Sequence, residues 1–195
     1  MVQYRPIFEN GTFEEVEALY REEGTDFCSN VIMKVKTTNK TITVERGMPC
    51  LPDAEDRYTC PQLVLTEAKV TQLFHASDEF THSIETGDTI WLSSEYIVDE
   101  KSKLIYIPGD HHKRTQPISV FYLPDHEYLL YASSDFLNGE CIYKGNLIYY
   151  SYPQGAVPLG YSSWSDYAEL LNSIGFPHYC NYSYIWDAAI EKYIK

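Results

Sequence analysis

The chain has 195 residues, 44% of them apolar and 22% charged, a balance that excludes wholesale disorder, a collagen-like chain and a coiled-coil rod. Its 28 Asp and Glu against 15 Lys and Arg leave a formal net charge of −13, a field that repels a phosphate backbone, so no nucleic-acid partner is expected. The length suits one globular domain over 1–195.

Met1 to Pro6 lack an apolar stretch behind a positive start, and no window approaches the roughly 18 apolar residues that a membrane span requires. The five cysteines, Cys28, Cys50, Cys60, Cys141 and Cys180, form no C-x-x-C pair, unlike the even framework of a disulfide-stapled domain. Reduced thiols, a cytoplasmic location and no membrane contact are therefore expected. On that reading, the N-x-[ST] sequons at Asn10, Asn39 and Asn181 are coincidental.

The first element is a helix. Thr12 and Glu15 have the spacing of a capping box, and Phe13, Val16, Leu19 and Tyr20 follow at helical period up to Gly24. From Val31 the period changes to two, and Thr38-Asn39-Lys40 reads as a turn that folds Val31–Val35 onto Ile42–Val44 as a hairpin. Residues 47–62, with Gly47, Pro49, Pro52 and Pro61, read as an irregular connection, and Leu63–Phe74 as strand. Short β-branched or aromatic runs then recur at Thr89–Leu92, Tyr96–Val98, Leu104–Ile107, Ile118–Leu123, Tyr128–Tyr131, Cys141–Tyr143 and Leu147–Tyr152. The turns between them, among them Asn138-Gly139 and Lys144-Gly145-Asn146, are too close for βαβ crossovers, so the sheet is expected to be antiparallel. After Pro153, Ser163 caps a helix with Asp166 at its third position, and a last helix runs from about Tyr184 to Lys195 with Trp186, Ala189, Ile190 and Tyr193 on one side. The expected class is α+β, a mainly antiparallel sheet flanked by an N-terminal helix and C-terminal helices.

Motifs for familiar chemistries are missing from the sequence: no Walker loop, no dinucleotide glycine turn, no Gly-x-Ser-x-Gly elbow, and no second histidine one turn after His126-Glu127. His75-Ala76-Ser77 and His82-Ser83-Ile84 resemble the strand-borne motifs of two-histidine phosphoesterases, but Ile84 replaces the hydroxyl that the second motif needs. An enzyme reading, a small phosphodiesterase or metal-assisted hydrolase, would draw on His75, His111, His112 and His126. A structural metal would draw on Cys50, Cys60, His178 and Cys180, although two tight ligand pairs are not evident, and no cofactor is expected.

Tyrosine is the compositional outlier, with 18 in the chain, too many in the second half for all to be buried. Either they pave one half-exposed sheet face, or they anchor a partner, because tyrosine joins a large apolar area to a polar tip. The second reading gives an acidic protein-binding module, an inhibitor or immunity-type protein that occupies a basic site on another protein. Its contact residues would be Tyr122, Tyr128, Tyr131, Tyr143 and Tyr150, with Asp125, Asp135 and Glu140 steering. A virion or scaffold component is the third class consistent with aromatic strands.

Overall fold

The structure, a computed structural model, describes residues 12–21, 31–44, 51–52, 58–59, 62–77, 83–99, 104–106, 120–151, 155–173 and 183–195. Helix α1, Phe13–Arg21, begins as its sequence directs: Thr12 N donates to Glu15 Oε2 at 2.8 Å and Glu15 N to Thr12 Oγ1 at 3.3 Å. Strand β1 is Val31–Val44, a single strand where a hairpin was expected. Its pairing with β4, Gln62–Ala76, passes from Thr37↔Ala68 to Thr41↔Thr66, so the Thr38-Asn39-Lys40 stretch is a bulge and not a reversal. Glu67 holds that bulge across the sheet, accepting from Thr38 Oγ1 at 3.3 Å and from Lys40 Nζ at 2.5 Å.

Along the chain, β2 (Leu51–Pro52) pairs with β3 (Tyr58–Thr59) inside the connection read as irregular, and β5 (Thr89–Asp99) pairs with β4 and with β6 (Leu104–Tyr106). Strand β7 is Glu127–Ser134, β8 Ile142–Tyr143, β9 Asn146–Tyr150 and β10 Ala156–Pro158. The large sheet runs β10-β7-β1-β4-β5-β9-β8, and β9 also pairs back onto β7 through Ser133↔Tyr150 and Ser134↔Tyr149. The strands β7, β1, β4, β5 and β9 therefore close into a five-membered ring, a small barrel.

An odd ring cannot alternate direction throughout. One neighbouring pair has to run parallel, and it is β5 with β9, through Trp91↔Ile148 and Leu92↔Tyr149. The sheet is thus mostly, not wholly, antiparallel. Strand β10, absent from the sequence reading, continues the lane of β9 along β7 through Ala156↔Leu130 and Pro158↔Tyr128. Where the lane is interrupted, Ser151 Oγ donates to Tyr131 O at 2.8 Å, supplying a hydrogen bond to that buried carbonyl.

Strand alternation and register put Val31, Met33, Val35, Ala68, Ile90, Leu92, Tyr128, Leu130 and Tyr149 on the inner face of the ring, all essentially without solvent contact. Two inward hydroxyls on the same face bind the segment 120–123. Thr37 Oγ1 donates to Leu123 O and Ser94 Oγ to Val120 O, both at 2.6 Å. The segment was expected to be strand, but its main chain is taken up by these side chains and by Tyr128, whose hydroxyl accepts from Leu123 N at 2.9 Å.

Helix α2, Trp164–Ser173, starts where Ser163 Oγ accepts from Asp166 N at 3.3 Å, and α3 covers Ser183–Tyr193. Trp186 and Ala189 of α3 are buried in the main core, and Trp164, Ile190 and Tyr193 pack against it. A smaller cluster on the outer face joins Leu63, Leu65, Trp91 and Ile148 to Leu137. Among the described residues no helix is long and apolar enough to cross a membrane.

Candidate protein-binding face

The chain leaves the barrel at the end of β7 through Asp135. Its Oδ2 accepts from Ser93 Oγ at 2.5 Å, its Oδ1 from Phe136 N at 2.8 Å, and its own N–H donates to Ile148 O at 2.9 Å, so both neighbouring strands fix the exit. Two tight reversals follow. Asn138 and Gly139 have φ of 55° and 86° between Leu137 and Glu140, which exchange hydrogen bonds of 2.9 and 3.1 Å. Lys144 and Gly145, with φ of 49° and 84°, then join β8 to β9. Positive φ at both central residues matches the right-handed strand twist and suits Asn138, Gly139 and Gly145, whereas Lys144 takes the left-handed conformation at a cost of about 1 kcal/mol.

The result is a knob tied down by hydrogen bonds at both turns and at its base. Leu137 turns inward to the smaller cluster, while Phe136 is left 56% exposed and Ile142 37%. These are two of the three large apolar side chains that stand exposed among the described residues. The base is Trp91, whose Nε1 donates to Tyr143 O at 3.0 Å and whose ring meets the Tyr143 ring edge-on at 6.2 Å. Lys144 Nζ lies 5.3 Å from the centre of the Tyr143 ring.

Of the expected contact residues, Tyr143, Tyr150, Glu140 and Asp135 are brought to this end of the barrel. Glu140 is exposed in the first turn, Tyr143 and Tyr150 are half-buried, and the Asp135 carboxylate is turned to Ser93 on the outer face of β5. Three expectations are corrected. Tyr122, Tyr128 and Tyr131 belong to the core and not to a surface, because the fold supplies polar or ring partners for them inside. Tyr128 OH meets Leu123 N and lies 3.4 Å from Tyr167 OH, Tyr131 OH donates to Glu17 at 3.1 Å, and Tyr122 packs edge-on against Tyr128. Burial pushes the Tyr128 hydroxyl up to about 12, and it raises Tyr131 further with help from the Glu17 charge. Asp125 is exposed, but it precedes β7 at the other end of the barrel, and eight strand residues span about 26 Å.

The two histidines among the described residues, His75 and His126, do not converge. His75 stands opposite Ile32, whereas His126 meets Thr37 through Thr37 N to His126 O and His126 N to Thr37 Oγ1, both 2.9 Å. Ile32 and Thr37 are five positions apart on β1, about 17 Å. The His126 ring lies near-parallel to Tyr161 with centroids 6.0 Å apart, and Nδ1 is 2.6 Å from Pro124 O. With Lys36, Glu127 and Gly160 it lines an open groove of about 470 Å³. His82, His111, His112, Cys50, Cys60, His178 and Cys180 lie outside the described residues, among which no group of three or more His, Cys, Asp or Glu is placed to hold a metal.

Phe136 and Ile142 are the contact candidates that the sequence did not single out. The flanking Asp135 and the two glycine turns were visible, but exposure depends on which residue the turns direct inward. Comparison with protein-family models, with curated proteins and with solved structures gives no match in any of the three.

Proposed function

We propose that this chain is a protein-binding module, an inhibitor or immunity-type protein that docks its Phe136–Tyr143 knob on a basic surface of a partner protein. The observation that carries the reading is the exposure of Phe136 and Ile142 on two hydrogen-bonded turns backed by a packed tryptophan. An aromatic ring held in water on a preorganised loop suits insertion into a partner's pocket, since little ordering entropy remains to be lost on binding. The formal charge of −13, with Glu140 between Phe136 and Ile142, supports a partner of opposite sign. A cytoplasmic location belongs to the same reading, supported by the unpaired thiol of Cys141.

The test compares immobilised wild-type protein with the Phe136→Ala/Ile142→Ser double variant, followed by kinetics with the captured partner. The double variant should release the partner at least tenfold faster with little change in on-rate, whereas added salt should slow association. Equal off-rates for the two proteins, or association indifferent to salt, would remove the basis of the proposal.

A further inference from the structure

We infer that the groove at the Asp125 end of the barrel binds a small zwitterion, an α-amino acid that carries its ammonium and its carboxylate side by side. The groove has a volume of about 470 Å³, within the range of small-molecule sites, and β1, the turn before β7 and the segment after β10 line it. The strand register explains its charges. Lys36 stands opposite Glu127 across β1 and β7, yet the Glu127 carboxylate is drawn to Lys34 Nζ at 3.1 Å, so Lys36 makes no ion pair among the described residues. Asp125, held at φ 58° where the chain turns into β7, makes none either. A cation and a carboxylate thus line one groove without meeting each other.

A second observation, independent of those charges, is the setting of His126. Its N–H donates to Thr37 Oγ1 and its carbonyl accepts from Thr37 N, both at 2.9 Å, and its ring Nδ1 lies 2.6 Å from Pro124 O. A carbonyl oxygen only accepts, so the proton is on Nδ1, and in the neutral ring Nε2 is left as an acceptor with no partner among the described residues. The ring is half-buried and near-parallel to Tyr161, which fixes its direction within the groove.

These groups match the parts of an amino acid. Lys36 and the N–H of Gly160, which no other group takes among the described residues, face the carboxylate. Asp125 and Nε2 of His126 receive the ammonium, and the Tyr161 ring remains as a wall for the side chain. The groove lies at the opposite end of the barrel from the Phe136–Tyr143 knob, so the inference goes beyond the docking reading, and the two can fail separately.

The test titrates L-phenylalanine into the full chain and follows the backbone amides and the His126 ring by nuclear magnetic resonance. Two matched half-ligands run beside it: 3-phenylpropanoate, which lacks the ammonium, and 2-phenylethylamine, which lacks the carboxylate. Shifts should concentrate at His126, Gly160 and Tyr161, and each half-ligand should bind at least tenfold more weakly than the amino acid. Lys36→Met and Asp125→Asn, both at exposed positions outside the core, should each weaken L-phenylalanine tenfold or more. Lys69→Met, which removes the exposed cation opposite Lys36 but outside the groove, should leave binding unchanged, and so should Phe136→Ala at the knob. No shifts at the groove residues, a half-ligand that binds as tightly as the amino acid, or a loss on Lys69→Met equal to that on Lys36→Met would overturn the assignment.

Discussion

Replacing Glu17 should destabilise the fold far more than a helix surface residue does. Glu17 is 7% exposed, and its carboxylate accepts from Tyr131 OH at 3.1 Å and Tyr193 OH at 2.6 Å and pairs with Lys192 Nζ, tying α1 to β7 and α3. A hydrogen bond to a charged acceptor contributes about 1.5 kcal/mol at the low end, so the two phenols account for about 3 kcal/mol. Lys192 is 43% exposed, and solvent screening limits its share to about 0.5 kcal/mol. Glu17→Ala should therefore cost about 3–4 kcal/mol, and Glu17→Gln, which keeps the shape and loses the charge, about 1–2 kcal/mol. Urea unfolding followed by tryptophan fluorescence measures both, with the exposed Glu14→Ala on the same helix as control. If Glu17→Ala shifts the midpoint no more than Glu14→Ala, the carboxylate does not hold α1 to the barrel as described.

Alkaline titration should unfold the protein above pH 10. Burial raises Tyr128 and Tyr149 to about 12 and Tyr131 also upward, so between pH 10 and 12 the unfolded chain loses phenol protons that the folded chain keeps. Stability is then fully present below pH 10 and falls above it by about 1.4 kcal/mol per pH unit for each such group, which denaturation midpoints at pH 9, 10.5 and 11.5 would reveal. A flat midpoint through pH 11.5 would contradict the burial of these hydroxyls. Gly155→Ala should cost about 1–3 kcal/mol, because a Cβ there would lie 3.0 Å from Tyr131 O and 3.2 Å from Tyr131 Cβ, and thermal unfolding against wild type would detect it.

What the sequence disclosed was local. Thr12 with Glu15 and Ser163 with Asp166 announce helix starts because each cap is made within four residues, and both form as read. Asn138-Gly139 and Lys144-Gly145 announce reversals for the same reason. Thr38-Asn39-Lys40 has the composition of a turn, yet Glu67, 29 residues from Thr38, holds it as a bulge, and no local pattern contains that partner. The parallel β5–β9 pair follows from ring closure, a property of five strands together and of no single one. The tyrosine surplus was visible but its direction was not. Whether Tyr131 faces water or core depends on Glu17, 114 residues away, and Tyr128 depends on Tyr167 of α2. Phe136 was hidden for the converse reason, since a phenylalanine after a strand reads as core until Leu137 is seen to take the inward place.

The most direct measurement of the docking reading is side-chain footprinting by hydroxyl radicals, with and without the captured partner. The account predicts that labelling of Phe136, Ile142 and Tyr143 falls several-fold in the complex, while Trp91 and Tyr128, already shielded, stay unlabelled in both states. Unchanged labelling of Phe136 and Ile142 in a saturated complex would contradict it.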